Sequence, residues 1–140
     1  MDSLNSLYVA GSALTAERLR MDVIANNLAN VETASTPQGG PYKRQMVVFQ
    51  PIENAPGHDL PVPTMGVEVT RIVQDSSPPR RAYEPNSPLA GTDGFVSYPN
   101  VDLSTEMVDL MAASRAYQAN AAVVQDTKDL VNRTIDLGRA

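Results

Sequence analysis

Residues 102–138 read DLSTEMVDLMAASRAYQANAAVVQDTKDLVNRTIDLG. Asp102 is placed to cap a helix, because a short acidic side chain accepts hydrogen bonds from the free backbone N–H groups of the first turn. Behind it Leu103, Met107, Leu110, Ser114, Tyr117, Ala121, Val124, Lys128, Val131 and Ile135 step by four and three. That spacing lays residues along one stripe of an α-helix. Gly138 is the expected stop. Small residues are frequent, among them Ala112, Ala113, Ala116, Ala119 and Ala122. They let helix backbones approach closely, so this helix is expected to pack on more than one neighbour.

The other end of the chain repeats the design. From about Asp2 to Val31 a second helix is expected, capped by Asp2 or Ser3. Leu7, Leu14, Met21 and Leu28 recur every seven residues, with Leu4, Gly11, Arg18 and Ala25 in the second seam position. Ile24 and Val31 widen the stripe near its end. This is a heptad pattern with an interrupted second row. At 1.5 Å per residue the helix is roughly 45 Å long, too long to lie across a compact domain of this size.

Between the helices the composition changes. All 11 prolines lie from Pro37 to Pro99, along with six of the 8 glycines. Proline costs roughly 3 kcal/mol in a helix interior, so the middle of the chain is closed to helix while both ends are open to it. Tyr42–Gln50 and Gly66–Gln74 read as strands, the second placing Val67, Val69 and Val73 on one face. Residues 54–63 form a Pro/Gly loop containing His58, and 76–88 read as turn-rich and extended. Thr92-Asp93-Gly94 marks a tight turn before Phe95-Val96-Ser97-Tyr98. The expected fold is therefore α+β: long N- and C-terminal helices paired as an antiparallel coiled coil (1–31 and 102–140), with a small Pro/Gly-rich β subdomain (32–101) inserted between them.

Composition narrows the function. The 140 residues carry a formal net charge of -5 and no basic block, which argues against electrostatic nucleic-acid binding. With no Cys and one His, neither a disulfide framework nor a Cys-based zinc site is available, and no metal or cofactor is expected. No apolar run approaches the ~20 residues needed to span a bilayer, so no membrane insertion is expected. The N-terminus has Asp2 where a Sec signal peptide has positive charge. A pair of helices buries one seam and leaves other faces bare, and isolated helices are marginal in water. The pair is expected to be poorly ordered in the monomer and to fold when neighbouring copies cover it. Each further buried Leu or Met contributes ~1.5–3 kcal/mol to such an assembly. A chain built this way is a polymerising subunit.

Several blocks carry a family resemblance. Ile24-Ala25-Asn26-Asn27-Leu28-Ala29-Asn30-Val31-Glu32-Thr33 resembles the signature of the bacterial flagellar axial proteins, the rod, hook and hook-associated group. Gly40-Pro41-Tyr42-Lys43-Arg44 follows it as in that family. Met46-Val47-Val48-Phe49, Ser77-Pro78-Pro79-Arg80, Tyr83-Glu84-Pro85, 93–101 (DGFVSYPNV), Glu106-Met107-Val108 and 113–120 (ASRAYQAN) resemble the proximal-rod members. The blocks occur in the family's order over nearly the whole chain. The resemblance implies a structural, non-enzymatic subunit of the proximal rod of the flagellar basal body, a helical tubular drive shaft across the periplasm that transmits torque and surrounds the export channel. It implies export through the flagellar type III apparatus without a cleaved signal. Its implied partners are further copies of the chain, the rod proteins FlgB, FlgF and FlgG, and the junction protein FliE. The alternatives are another axial protein, FlgB-like, or a coiled-coil adaptor that binds a chaperone.

Candidate assembly residues follow. Leu7, Leu14, Met21, Leu28, Met107, Leu110, Val124 and Val131 are seam positions. Asn26, Asn27 and Asn30 crowd one turn: they either fix register by hydrogen bonds between helices or subunits, the reading the family block favours, or cap the helix end with solvated amides. Tyr117, Gln118 and Asn120 are core, intersubunit contact, or both, since core and interface merge in a filament. Arg80-Arg81 reads as a solvated loop or an ion pair with an acidic neighbour, and His58 as inert. Thr92-Asp93-Gly94 lacks calcium-loop spacing, and Gly39-Gly40 lacks the Lys-Ser/Thr of a phosphate loop. The sequon at Asn132-Arg133-Thr134 falls inside the expected helix. Asp126 and Asp129 lie three apart on the same helix and read as solvated, without a pocket to tune them as a hydrolase pair.

Overall fold

The computed structural model describes residues 2–52 and 66–139. His58 and the Pro/Gly loop over 54–63 lie outside the described residues. The elements in chain order are α1 (Asp2–Ala29), β1 (Gln45–Pro51), β2 (Val67–Gln74), β3 (Arg80–Tyr83), β4 (Phe95–Tyr98) and α2 (Leu103–Arg139). This is an α+β arrangement of two long helices and two small antiparallel sheets, β1 with β2 and β3 with β4.

Both inner helix ends are closed by side chains the sequence supplies. The Asp102 carboxylate accepts the N–H of Thr105 at 2.7 Å, and the Asp102 carbonyl accepts that of Glu106 at 3.0 Å. The first of these bonds holds the Asp102 carboxyl below its ordinary range. At the end of α1 the Asn30 amide donates to the Asn26 carbonyl (2.9 Å) and to Asn26 Oδ1 (3.0 Å). The far end of α2 departs from expectation: Gly138 does not stop the helix, which runs on to Arg139. Glycine permits a left-handed cap without imposing one, and Gly138 is not at positive φ.

α1 and α2 pack on each other in opposite senses: Asn27 meets Glu106 while Arg20 meets Asp109. The buried face of α1 is made of Ala10, Ala16, Val23, Ile24 and Asn27. The expected seam lies at the rim of this face. Leu7 is exposed, and Leu14, Met21 and Leu28 are half-buried. Two of the five buried positions are alanines, which leave room for a neighbouring backbone, and the longer aliphatic side chains of the expected seam flank them. On α2, Glu106 and Ala113 are fully buried. Leu110, Ser114, Tyr117, Ala121, Val124 and Val131 are half-buried, whereas Leu103, Met107, Lys128 and Ile135 are exposed. A stripe read with a period near 3.5 drifts by about 20° per heptad on a straight helix. The expected row therefore leaves the packed face at its start, whereas beyond Val131 every described residue of α2 is exposed whichever way it points, Ile135 included.

The β1–β2 hairpin lies against α1, with Met46 opposite Val73 and Phe49 opposite Val69. A register shift between Val48 and Phe49 bends the ladder. Val67, Val69 and Val73 are half-buried while the residues between them are exposed. Arg80 and Arg81 sit on a strand rather than in a loop. The Arg81 guanidinium pairs with Asp93 and lies 4.6 Å from the centre of the Phe95 ring, and that of Arg80 lies 5.1 Å from the Tyr98 ring. The turn before β4 needs glycine. Gly94 has φ +78°, and a Cβ there would stand 2.8 Å from Cε2 of Tyr83, whose ring packs edge-on against Phe95.

Candidate functional site

The largest buried side chains of the described chain include a carboxylate and an amide, Glu106 and Asn27. Polar groups this deep cost stability unless paired, so their partners define the structure around them. Asn27 comes from the last two turns of α1 and uses its whole hydrogen-bonding capacity. Its amide donates to the carbonyl of Gln45 at 2.8 Å and to Glu106 Oε2 at 3.0 Å. Its oxygen accepts the Gln45 N–H and the Tyr42 hydroxyl, both at 2.9 Å. One side chain thus ties α1 to the start of β1 and to the first turn of α2.

Glu106 completes the joint from the other side. Its second oxygen accepts from Arg44 Nε at 2.5 Å. The Arg44 guanidinium also lies 3.6 Å from Asp109 and 3.9 Å from Asp75, and its backbone N–H donates to Asn100 Oδ1 at 3.3 Å. Arg20 reaches Asp109 at 3.9 Å and Glu17 at 3.8 Å. Residues just before β1, just after β2, and at the near ends of both helices therefore meet at one point. Burial and the Glu106 charge both raise the Tyr42 hydroxyl above its ordinary pKa. Hydrogen bonds from Ser77, with a smaller contribution from Arg44, hold the Asp75 carboxyl below its own.

The chemistry of this joint is cohesive. The acceptors of Asn27 and Glu106 are filled by donors of the same chain, whereas Glu17 Oε2 and Asn100 Nδ2 at its edge are buried without a hydrogen-bond partner; among the described residues no group of His, Cys, Asp or Glu could hold a metal ion. Asp126 and Asp129 are exposed on α2, the latter accepting from Gln125 at 3.1 Å. No described helix is long and apolar enough to cross a membrane.

The structure separates the three asparagines: Asn27 is buried in the joint, Asn26 is exposed, and Asn30 is half-buried and bonds locally. Tyr117 and Asn120 are half-buried, with the Asn120 amide returned to the Ala116 carbonyl at 2.9 Å, while Gln118 is exposed. Sequence reasoning missed Tyr42, Arg44 and Glu106 as one unit. A signal existed: Glu106 lies seven residues before Ala113 and fourteen before Asn120, an acid on an apolar stripe.

A second site is defined by what is bare. Val123, Leu130 and Leu137 recur every seven residues and are 45%, 59% and 80% exposed. At about 100° per residue they lie about 80–140° around the helix from buried Ala113 and half-buried Val124, to the side of the packed face. Beyond Val131 every described residue of α2 is exposed. Elsewhere on the molecule Leu7, Tyr8, Gly11, Thr15 and Leu19 of α1 form a groove with Val67 and Val69 of β2.

Comparison with known proteins bears on both sites. Residues 7–34 match the family described as "Flagella basal body rod protein", and 92–137 match "Flagellar basal body rod FlgEFG protein C-terminal". The chain is similar to the protein called "Flagellar basal-body rod protein FlgC" in Escherichia coli O157:H7, 44% identical over 139 residues. It is similar to the protein of that name in Salmonella typhimurium at 43% and in Bacillus subtilis at 37%. Each of these alignments covers 99% of this chain and 100% of the relative.

Proposed function

Because the chain belongs to the FlgC family of flagellar basal-body rod proteins, we propose that it is a structural subunit of the proximal rod, polymerising into a helical tube. The tube transmits torque across the periplasm by the stiffness of packed helices and surrounds the export channel. The chain performs no catalysis. Its helices pair as an antiparallel coiled coil in the rod. Its neighbours there are further copies, FlgB, FlgF, FlgG and FliE, and it reaches the rod through the flagellar type III apparatus without a cleaved signal.

One observation carries this reading at the level of this chain. Large apolar side chains stand exposed along α2, from Leu103, Met107, Val108 and Met111 to Val123, Leu130, Ile135 and Leu137. A helix with apolar side chains on more than one face needs more than one neighbour. Among the described helices and strands α2 packs on α1 alone. Assembly supplies the rest, and it buries apolar surface at about 25 cal/mol per Å². The buried joint supports the same reading, because it fixes the hairpin to the helix pair as one rigid piece. The seam residues Leu7, Leu14, Met21, Leu28, Met107, Leu110, Val124 and Val131, with Tyr117, Gln118 and Asn26, are the contacts proposed between subunits.

The test is complementation of a flagellated host that lacks its own FlgC. The expected result is restored swimming, with the chain recovered in purified basal bodies in several copies. Recovery only as a soluble one-to-one complex with a chaperone, in cells that stay immotile, would overturn the rod reading in favour of an adaptor.

A further inference from the structure

We propose that the exposed row of α2 in one copy, Val123–Leu130–Leu137, seats in the α1–β2 groove of a second copy, with the two helices antiparallel. The inference rests on the rod reading above and specifies the partner and orientation of the contact.

Shape is the first argument. The groove has a volume of about 760 Å³ and runs along α1 from Leu7 to Leu19, about 18 Å at 1.5 Å per residue. Its floor is low at Gly11, Ser12 and Thr15, where a ridge of larger side chains can enter. The row from Val123 to Leu137 is about 21 Å long on the same scale. The two apolar surfaces match in length and differ in relief, as ridge and groove.

Charge fixes the direction. Glu68 lines the groove level with Ser12, whose hydroxyl accepts the Val67 N–H at 3.1 Å. Arg18 lies six residues further along α1 on the side of Leu7 and Gly11, and it is exposed. On α2, Arg133 and Asp126 flank the apolar row seven residues apart, and both are exposed. Among the described residues none of these four makes an ion pair; Arg20, Arg44 and Arg81 are the cations that do. Laid antiparallel, the row brings Arg133 to Glu68 and Asp126 to Arg18 and sets Leu130 beside Thr15. Laid parallel, only one of the two pairs can form. The contact joins different surfaces of the two copies, so each copy keeps one of each free. Such a heterologous contact closes into a ring or propagates into an open helical array, and the second is what the rod reading requires.

The chain has no cysteine, so introduced thiols report cleanly. Thr15→Cys and Leu130→Cys chains are expressed together in the FlgC-lacking host, basal bodies are isolated, and the sample is oxidised. The expected product is a disulfide between two different chains, at least tenfold above a control pair of Thr15→Cys with Ser104→Cys. Motile cells whose basal bodies contain no such product would overturn the contact while leaving the rod reading intact. So would a disulfide formed within one chain of the doubly substituted protein at high dilution, or a bond from either thiol to a different rod protein. Should the cysteine variants block assembly, charge reversal decides. Glu68→Arg is expected to reduce swimming at least tenfold and Arg133→Glu to restore it in the same chain; no restoration contradicts the pairing. Failure of the rod reading looks different, since the unsubstituted chain would then be absent from basal bodies.

Discussion

Asn27→Leu is expected to lower the stability of the folded joint by at least about 4 kcal/mol while leaving the helix propensity of α1 intact. Leucine is a better helix former than asparagine, so local preference favours the substitution. The cost arises elsewhere. Four groups lose a partner at once: both backbone groups of Gln45, the Tyr42 hydroxyl and one oxygen of Glu106. A buried polar group left unsatisfied costs about 1–3 kcal/mol. Urea unfolding followed by near-ultraviolet tyrosine dichroism reads the joint, because Tyr42 lies in it and the chain has no tryptophan. Asn26→Leu is the matched control. Asn26 is exposed, and its carbonyl still accepts from Asn30 after substitution, so a change within about 0.5 kcal/mol is expected. Rods should fail to assemble with Asn27→Leu. Wild-type stability and normal swimming in that variant would contradict the role assigned to the joint.

Arg44→Met is expected to cost about 3–5 kcal/mol by the same measurement, because it leaves Glu106 buried without its cation. The pair, rather than the arginine, carries the effect. Arg44→Met with Glu106→Gln removes both charges, and the double variant is expected to recover more than half of the loss. Asn27 still donates to the remaining amide oxygen in that background. Such non-additivity is the signature of residues in one network. Equal losses in the single and double variants would contradict the pairing and place the effect of Arg44 in its contacts with Asp75 and Asp109 or in its packing.

The sequence revealed the architecture because its strongest signals are local. The proline distribution and the apolar period at both ends locate α1 and α2 without tertiary information, and Asp102 caps where an acidic residue before a helix should. β3 was less legible: its four residues, Arg80–Tyr83, include two arginines and one outward tyrosine, and they pair only because the turn at Gly94 returns β4 to them. The helix contact was displaced for a related reason. Large apolar residues dominate a periodicity reading, yet Ala10, Ala16 and Ala113 are among the most buried residues of the two helices. The joint was half visible. Asn27 stands out in its motif, whereas the other members of the joint, Tyr42, Arg44 and Glu106, lie 15, 17 and 79 residues away, and no local period relates them. The exposed row of α2 was legible only as an excess of small and apolar residues. That it stays bare beside α1 required the packed structure.

Burial within one chain is uneven in a way that yields the most direct test. Fully buried residues lie from Ala10 to Asn27 and from Val96 to Ala113, and none lies in the described part of α2 after Ala113. Residue-resolved amide hydrogen exchange, on the purified chain at high dilution and again on isolated rods, separates the two halves of that helix. Strong protection at 103–113 in both samples, with protection over 120–139 present only in the rod, is the predicted result. Equal protection along the whole of α2 in the dilute monomer would contradict it, since the distal turns would then be stable without a neighbour.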